Sequence, residues 1–347
     1  MSANKTIKQI FCILILGALI TPNLILFFGA KHTEAPVFSI SNPKESIIKF
    51  KSYYIENFGL KTALLDSYLQ FKTNVLNDNP LPNRVLTGKD GWYFLGNHYN
   101  NLFDDSFGNH ALSLSELEII KNNIKTIKEN LESKNIVFQI VVPPNKHRLY
   151  TENLPYRLNQ NPTRLQQINS YLKKEIDFEI LDLRDTLYAH KESEQLYFKT
   201  NTHWNDIAAY IGYYKTISSL NLDIPVTSIS NYNFDIGPIK RGDITEMIHI
   251  KSDESTVYLS QKTASELVPI KSEYHHLHFK NPNRKRKLIM YRDSFSNAWI
   301  KFFNSSFGET IYFRDYNIKP DIIDKEQPDV VIVEVIERQL STVLLSL

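Results

Sequence analysis

Four short, largely apolar runs, at 136–142, 287–291, 310–313 and 330–335, constrain the fold of this chain more than any other feature. Each is too short for a core helix and lacks polar alternation. Each therefore fits a strand buried on both faces, the environment of a parallel sheet between helical layers. The segments between them have helical period. Ser115-Glu116-Leu117-Glu118 has the form of a capping box, and Leu117, Ile120, Ile124, Ile127 and Leu131 behind it repeat at three and four residues. The first run ends in Pro143-Pro144-Asn145-Lys146, a helix follows at about 162–175, and a strand at 179–183. That order predicts parallel pairing through a right-handed crossover. Further helices are expected at about 204–220 and 296–304. The expected fold is a three-layer α/β/α sandwich with a mostly parallel sheet. Residues 53–75 suggest one or two helices, and Gly88-Lys89-Asp90-Gly91 a turn before the aromatic strand Trp92-Tyr93-Phe94-Leu95. Residues 221–280 show no sustained period and read as loops and short strands.

With 347 residues, 42% of them hydrophobic and 12% aromatic, the chain has material for a large core. Its 40 basic and 38 acidic residues leave a net charge of +2, which is no footprint for nucleic acid. Cys12 is the only cysteine, so neither an internal disulfide nor a cysteine metal site is available. The stretch 10–30 carries no charge and is long enough to span about 30 Å of hydrocarbon. Lys5 and Lys8 precede it, so the positive-inside rule puts the N-terminus in the cytoplasm and the remainder outside. A cleaved signal peptide is the rival reading, favoured by Pro22 and Asn23 in the span. Its cleavage sites are poor: Phe28 precedes Ala30 closely, and Pro36 follows Ala35. The expected organisation is a stub and uncleaved anchor at 1–30, a juxtamembrane linker at 31–52 and the globular domain at 53–347.

Two polar stretches at element ends carry candidate chemistry. Lys199-Thr200-Asn201-Thr202-His203-Trp204-Asn205-Asp206 reads as a loop entering a helix, and Tyr291-Arg292-Asp293-Ser294-Phe295-Ser296 closes a strand about ninety residues later. A histidine base and a serine nucleophile are the minimum for acyl transfer. Ser294 lies at the carboxyl end of its strand, where open α/β sheets bind ligands, and N–H groups at a helix start can hold an oxyanion. The alternative is plain helix capping, by Asn201 or Thr202 in one stretch and by Asp293, Ser294 or Ser296 in the other. As a base, His203 needs Ser294 Oγ on one nitrogen and an acceptor on the other, with Asn201 the local candidate. Lys146, at another strand end, either meets substrate in the same crevice or lies in solvent. His276 and His278 would share a strand face, but no acidic pair or cysteine lies nearby, so neither a metal nor another cofactor is expected. Arg284-Lys285-Arg286-Lys287 reads as a solvated loop, or more sharply as a contact for an anionic polymer or lipid headgroups.

Read in order, the motifs resemble the SGNH-hydrolase-like domain of the alginate O-acetyltransferases, the AlgX/AlgJ-like group. Gly88-Lys89-Asp90-Gly91-Trp92-Tyr93-Phe94 is similar to the opening motif. Val142-Pro143-Pro144-Asn145-Lys146, with Tyr150 and Leu154-Pro155 behind, is similar to the next block. Thr202-His203-Trp204 matches the core of Asp-x-His-Trp. Arg241-Gly242-Asp243, Arg292-Asp293-Ser294-Phe295, and Pro328-Asp329-Val330-Val331 with Glu337-Arg338 match later blocks. The resemblance covers roughly 53–339. It implies Ser294 as nucleophile and His203 as base, with Asn201 in the orienting position. Lys146, Tyr150, Arg292, Phe295 and Trp204 are then candidates for substrate or oxyanion contacts.

The resemblance also implies an acetyl group passing from a membrane-bound O-acyltransferase partner to Ser294 and then to a polysaccharide hydroxyl. The domain would sit in the periplasm, held to the inner membrane by the N-terminal helix. The chain departs from the family at one place that matters, where Asn201 replaces the motif's aspartate. A working Ser–His–Asn site, a pair with another orienting group, and a degenerate binding protein all follow from that change. The expected function is a polysaccharide O-acetyltransferase. The rivals are a non-catalytic polysaccharide-binding or assembly component and an acetyl esterase.

Overall fold

The computed structural model describes residues 2–29, 33–158, 161–263 and 266–347. It divides into two compact units, Met1–Pro80 and Leu81–Leu347. In the first, the helix Ser2–Phe28 includes a span, Lys5–Phe28, of 24 residues with mean hydropathy 2.5. At 1.5 Å per residue that is about 36 Å, long and apolar enough to cross a membrane. Ala30, the last residue of the expected span, and residues 31–32 of the expected linker lie outside the described residues. The rest of that linker is not all irregular. A helix, Pro43–Asn57, begins inside it, with proline at the first helical turn, where its missing N–H leaves no bond unmade. The helix Lys61–Gln70 and a π-helical turn, Phe71–Val75, follow. Residues 53–80 fall in the first unit, with the N-terminal helices.

The second unit contains eleven strands among the described residues. They are β1 (Val85–Thr87), β2 (Tyr93–Leu95), β3 (Val137–Val142), β4 (Leu181–Asp182), β5 (Tyr232–Pro238), β6 (Ser255–Gln261), β7 (Val268–Glu273), β8 (His276–Lys280), β9 (Lys287–Tyr291), β10 (Glu309–Phe313) and β11 (Val330–Glu334). The main sheet has the order β4-β3-β11-β9-β10-β8-β7. Its first five strands are mutually parallel, and β8 and β7 extend it antiparallel. Strand alternation sends side chains to two separate cores. Leu288, Met290, Val330 and Ile332 pack with the helices Asp206–Ser219 and Ile300–Ser306. Ile289, Tyr291, Val331 and Val333 pack with Leu114–Glu132, Arg164–Ile176 and Leu340–Ser346. This is the three-layer sandwich with a mostly parallel sheet.

Local differences have local causes. The sequence Ser113-Leu114-Ser115-Glu116-Leu117-Glu118 carries the capping-box spacing twice, and the helix takes the earlier copy. Ser113 caps Glu116 N–H, and the Glu116 carboxylate accepts from Ser113 N–H at 2.8 Å. Residues 221–280 hold the long β5/β6 hairpin, hidden from periodicity because most of β5 is exposed on both faces. Ser113→Ala is expected to cost about 1 kcal/mol of stability in chemical denaturation, whereas Ser115→Ala stays within about 0.5 kcal/mol.

Candidate functional site

His203 stands at the end of a loop pinched shut at its base. Tyr197 and Trp204 form an antiparallel bridge, Phe198 N–H donates to His203 O at 3.2 Å, and Asn205 N–H to Leu196 O at 2.9 Å. The following helix is capped by Asn205, which accepts from Ala208 N–H at 3.0 Å, so neither Asn201 nor Thr202 is a helix cap. Three charged side chains hold the loop from outside. Lys146 Nζ, buried just beyond β3, donates to the carbonyls of Phe198, Lys199 and Asn201 at 3.0, 3.1 and 2.9 Å. Glu254 accepts from the N–H groups of Lys199 and Thr200 at 2.7 and 3.0 Å. Asp243 accepts from Thr202 N–H and Oγ1, both at 2.7 Å. Burial pushes the Lys146 ammonium down to about 7, while Asp243 and Glu254 pull it back up.

Ser294 follows β9 in a turn tied to the neighbouring strand. Glu334, fully buried at the end of β11, accepts from Asp293 N–H at 3.1 Å and Ser296 Oγ at 2.5 Å. Burial, reinforced by the Asp293 charge, holds the Glu334 carboxyl well above the usual range. Asp293 Oδ1 takes the Phe295 N–H at 2.8 Å, and Oδ2 takes the Ile336 N–H at 2.9 Å. The caps expected of Asp293 and Ser296 are therefore spent within the turn. Ser294 Oγ makes no capping bond and lies 2.8 Å from His203 Nε2.

The other ring nitrogen faces three oxygens. His203 Nδ1 is 2.8 Å from Asn201 Oδ1, 3.1 Å from Thr202 Oγ1, whose proton goes to Asp243, and 3.5 Å from Asp243 Oδ2. The orientation of the Asn201 amide follows from its surroundings: Nδ2 donates to Arg241 O at 2.7 Å, and Oδ1 accepts from His203 N–H at 2.9 Å. With a carbonyl and a carboxylate before it, Nδ1 carries the proton, and Nε2 presents its lone pair to the Ser294 hydroxyl. Burial pushes the Asp243 carboxyl up, but bonds from His203 and Thr202 outweigh it, so the group sits below its ordinary range.

The structure reassigns most of the expected contact residues. Lys146 spends all three ammonium protons on the loop, so it braces Asn201 and His203 instead of meeting substrate or solvent. Tyr150 is buried, stacks on Trp92 at 4.1 Å and accepts from Leu196 N–H at 2.8 Å. Trp204 is buried as well and donates its indole N–H to Phe295 O at 2.9 Å. Phe295 packs its ring 4.8 Å from that of His203, and its N–H is already taken by Asp293. Arg292 donates to Asp293 O at 3.0 Å and to Asn297 Oδ1 at 2.6 Å. Of the distant motifs, His278 pairs with Glu309 at 2.7 Å. In the basic run, Arg286 pairs with Asp329, and Lys287 with Glu309 and Glu326.

Asp243 is the functional group that sequence reasoning left out of the site. Its signal was the Arg241-Gly242-Asp243 block. A Cβ on Gly242 would stand 2.5 Å from Thr245 Oγ1 and 3.2 Å from Thr200 Oγ1, so only glycine lets this segment approach the loop. Arg338 was likewise missed; its guanidinium lies 5.7 Å from the centre of the Phe295 ring.

Residues 85–291 match the family described as SGNH hydrolase-like domain, acetyltransferase AlgX. The chain belongs to this family. The matched span stops short of the turn that carries Ser294. No curated protein sequence matches the chain. Among solved structures, the chain resembles Bacillus cereus PatB1 at 19% identity, covering 75% of this chain and 98% of that one with a TM-score of 0.56. PatB1 with a sulfonyl adduct is similar at 18% identity, with the same coverage and a TM-score of 0.55. The O-acetyltransferase domain of Pseudomonas putida AlgJ is 16% identical, covering 74% of this chain and 92% of that one with a TM-score of 0.48.

Asp243 has a lowered folded-state pKa, so the stability it adds is present above the ordinary carboxylate pKa of about 3.9 and is lost as pH falls through the folded value. Asp243→Asn is expected to cost about 2 kcal/mol near neutral pH, with the gap to wild type closing in acid, as read by denaturation across pH.

Proposed function

We propose that this protein is a periplasmic O-acetyltransferase that works through an acetyl-Ser294 intermediate and acts on a polysaccharide. Membership of the acetyltransferase family and the N-terminal membrane-length helix support this reading. The observation that carries it is the 2.8 Å contact of Ser294 Oγ with His203 Nε2, in a ring whose other nitrogen meets the Asn201 carbonyl. Lys5 and Lys8 before the span orient the domain outward under the positive-inside rule.

In the first half-reaction Ser294 Oγ attacks the acetyl carbonyl of the donor, delivered by a membrane-bound O-acyltransferase, and His203 Nε2 takes the hydroxyl proton. The imidazolium is stabilised by Asn201 Oδ1 and by the Asp243 charge on the far side of the ring. The tetrahedral intermediate then expels the donor oxygen, which leaves with the proton from Nε2. In the second half-reaction a saccharide hydroxyl attacks the acetyl-serine, giving its proton to Nε2, and the acetyl C–O bond to Ser294 breaks as that proton returns to Oγ. The Ser294 N–H, which meets no acceptor among the described residues, would serve as an oxyanion donor. Because Arg292 occupies Asn297 Oδ1, the Asn297 amide presents its NH₂ as a second donor. Arg292 thereby positions a donor without contacting substrate.

Incubation with an activated acetyl ester, followed by intact-mass and peptide analysis, is expected to show one acetyl group on Ser294 and none in Ser294→Ala. A sulfonyl fluoride is expected to label the same residue, by analogy with the sulfonyl adduct of PatB1. Absence of both adducts from folded protein would refute the proposal, and release of acetate undiminished by saccharide would point to an esterase. Asp243→Asn is expected to slow acetyl-enzyme formation about 10–100-fold. That is less than the roughly 10⁴-fold of a serine-protease Asp→Asn change, because Asn201 keeps the productive tautomer. Asn201→Asp is expected to raise it by less than about tenfold, since Asp243 already supplies the charge.

A further inference from the structure

Ser294 is fixed through its neighbours, and each of them is bonded to one of two adjacent carboxyl groups. Asp293 N–H and Ser296 Oγ both donate to Glu334 Oε2, and Phe295 N–H donates to Asp293 Oδ1. The turn therefore keeps its shape only while the Asp293 and Glu334 carboxyls stay against each other. Two ionised carboxylates in contact would repel, and Glu334 is 0% exposed, so solvent does not screen it. A single proton between them removes that repulsion.

The bonding pattern says which carboxyl holds the proton. Asp293 accepts three donors: Phe295 N–H at Oδ1, and Ile336 N–H and the Tyr316 hydroxyl at Oδ2, the last at 3.3 Å. A carboxylate has about four acceptor sites, so one remains. Glu334 has both of its donors on Oε2, and its Oε1 is buried and meets no donor among the described residues. As an anion, Glu334 would keep a bare oxygen away from water. As an acid it has a hydroxyl to place, and the Asp293 carboxylate, in hydrogen-bonding contact with it, is the acceptor. The other charged and titratable neighbours agree. Arg338, just after β11, balances the Asp293 charge. Arg292 acts on Glu334 but spends its bonds on Asp293 O and Asn297. Tyr316 and Tyr197 face the pair as phenols kept neutral by burial.

We propose that Glu334 is a positioning residue whose protonated carboxyl donates to Asp293 and so holds the turn that presents Ser294 to His203. The inference rests on the acetyltransferase reading for the use of that serine, but the state of Glu334 is measurable without any chemistry. Its carboxyl holds its proton above the ordinary range, so the arrangement is intact at neutral pH and is lost as pH rises through the folded-state pKa.

The test uses the full chain in detergent with carboxyl-¹³C-labelled glutamate. A signal is expected at the protonated position at neutral pH, where ordinary glutamates, with a pKa of about 4.3, are ionised. Glu334→Gln should remove that signal, and Asp293→Asn should shift it. Glutamine keeps the acceptor and replaces the hydroxyl with an N–H donor, so acetylation of Ser294 by an activated ester should stay within about threefold of wild type. Glu334→Leu fills the space with neither donor nor acceptor and should slow acetylation about 100-fold. Where the Glu334 signal titrates, the wild-type rate should fall as pH rises and the Glu334→Gln rate should not. An ionised Glu334 at neutral pH overturns the proposal whatever the variants do. So does a folded Glu334→Gln as slow as Glu334→Leu, or an undiminished rate in Glu334→Leu. If wild-type Ser294 takes up no acetyl group, the acetyltransferase reading fails instead, while the carboxyl signal still decides the state of Glu334.

Discussion

The amide of Asn201 is held at both edges, and the chemistry proposed for this protein depends on that. Its NH₂ is committed to Arg241 O, so its carbonyl must face His203. An amide free to flip could offer the ring a donor, and His203 would then place its proton on Nε2, toward Ser294. Held as it is, the amide does half of what an aspartate does at this position. It selects the tautomer and fixes the ring plane, but it brings no charge. The missing charge comes from Asp243, 3.5 Å from the same nitrogen. Orientation of the ring and negative charge beside it thus come from two residues about forty positions apart.

Around that amide, buried and half-buried polar groups serve the loop and the turn. Lys146 satisfies three loop carbonyls, and Glu254 and Asp243 satisfy the loop's N–H groups. Glu334 does the same for the turn that carries Ser294. Backbone removed from water needs such partners, and where no strand or helix supplies them, charged side chains must. The aromatic residues Trp204 and Phe295 join the two segments, since the indole of one donates to the carbonyl of the other. The opening Trp92-Tyr93-Phe94 block has a similar use: Trp92 and Phe94 lie 5.6 and 5.2 Å from Lys146 Nζ, and Tyr93 N–H donates to Lys199 O at 2.9 Å. The Trp92–Phe94 block and the Trp204–Phe295 contact therefore brace the segments that carry His203 and Ser294.

Much of the sheet was legible in the sequence because strands buried on both faces leave unbroken apolar runs. β3, β9 and β11 lie within three of the runs read at the outset, and β10 begins one residue before the fourth. The β5/β6 hairpin was not, since β5 is largely exposed and has no side that must be apolar. The positions of His203 and Ser294 at element ends were legible too, and the structure brings them within hydrogen-bond distance. The roles of Lys146, Tyr150 and Trp204 were not, because sequence shows a polar or aromatic side chain near a strand end but not which way it points. Asp243 shows the same limit. Its approach to His203 depends on Gly242 and on a segment whose path no period announces.

The protonation of His203 tests the account most directly. In ¹⁵N-histidine-labelled protein, long-range ¹H–¹⁵N spectra distinguish the two ring nitrogens, and a His203→Gln variant identifies its signals. The expected result is a protonated, pyrrole-type Nδ1 and an unprotonated, pyridine-type Nε2 in the neutral ring. A resting His203 protonated at Nε2 instead would mean that Asn201 does not hold the ring as described, and the arrangement proposed for Ser294 would not stand.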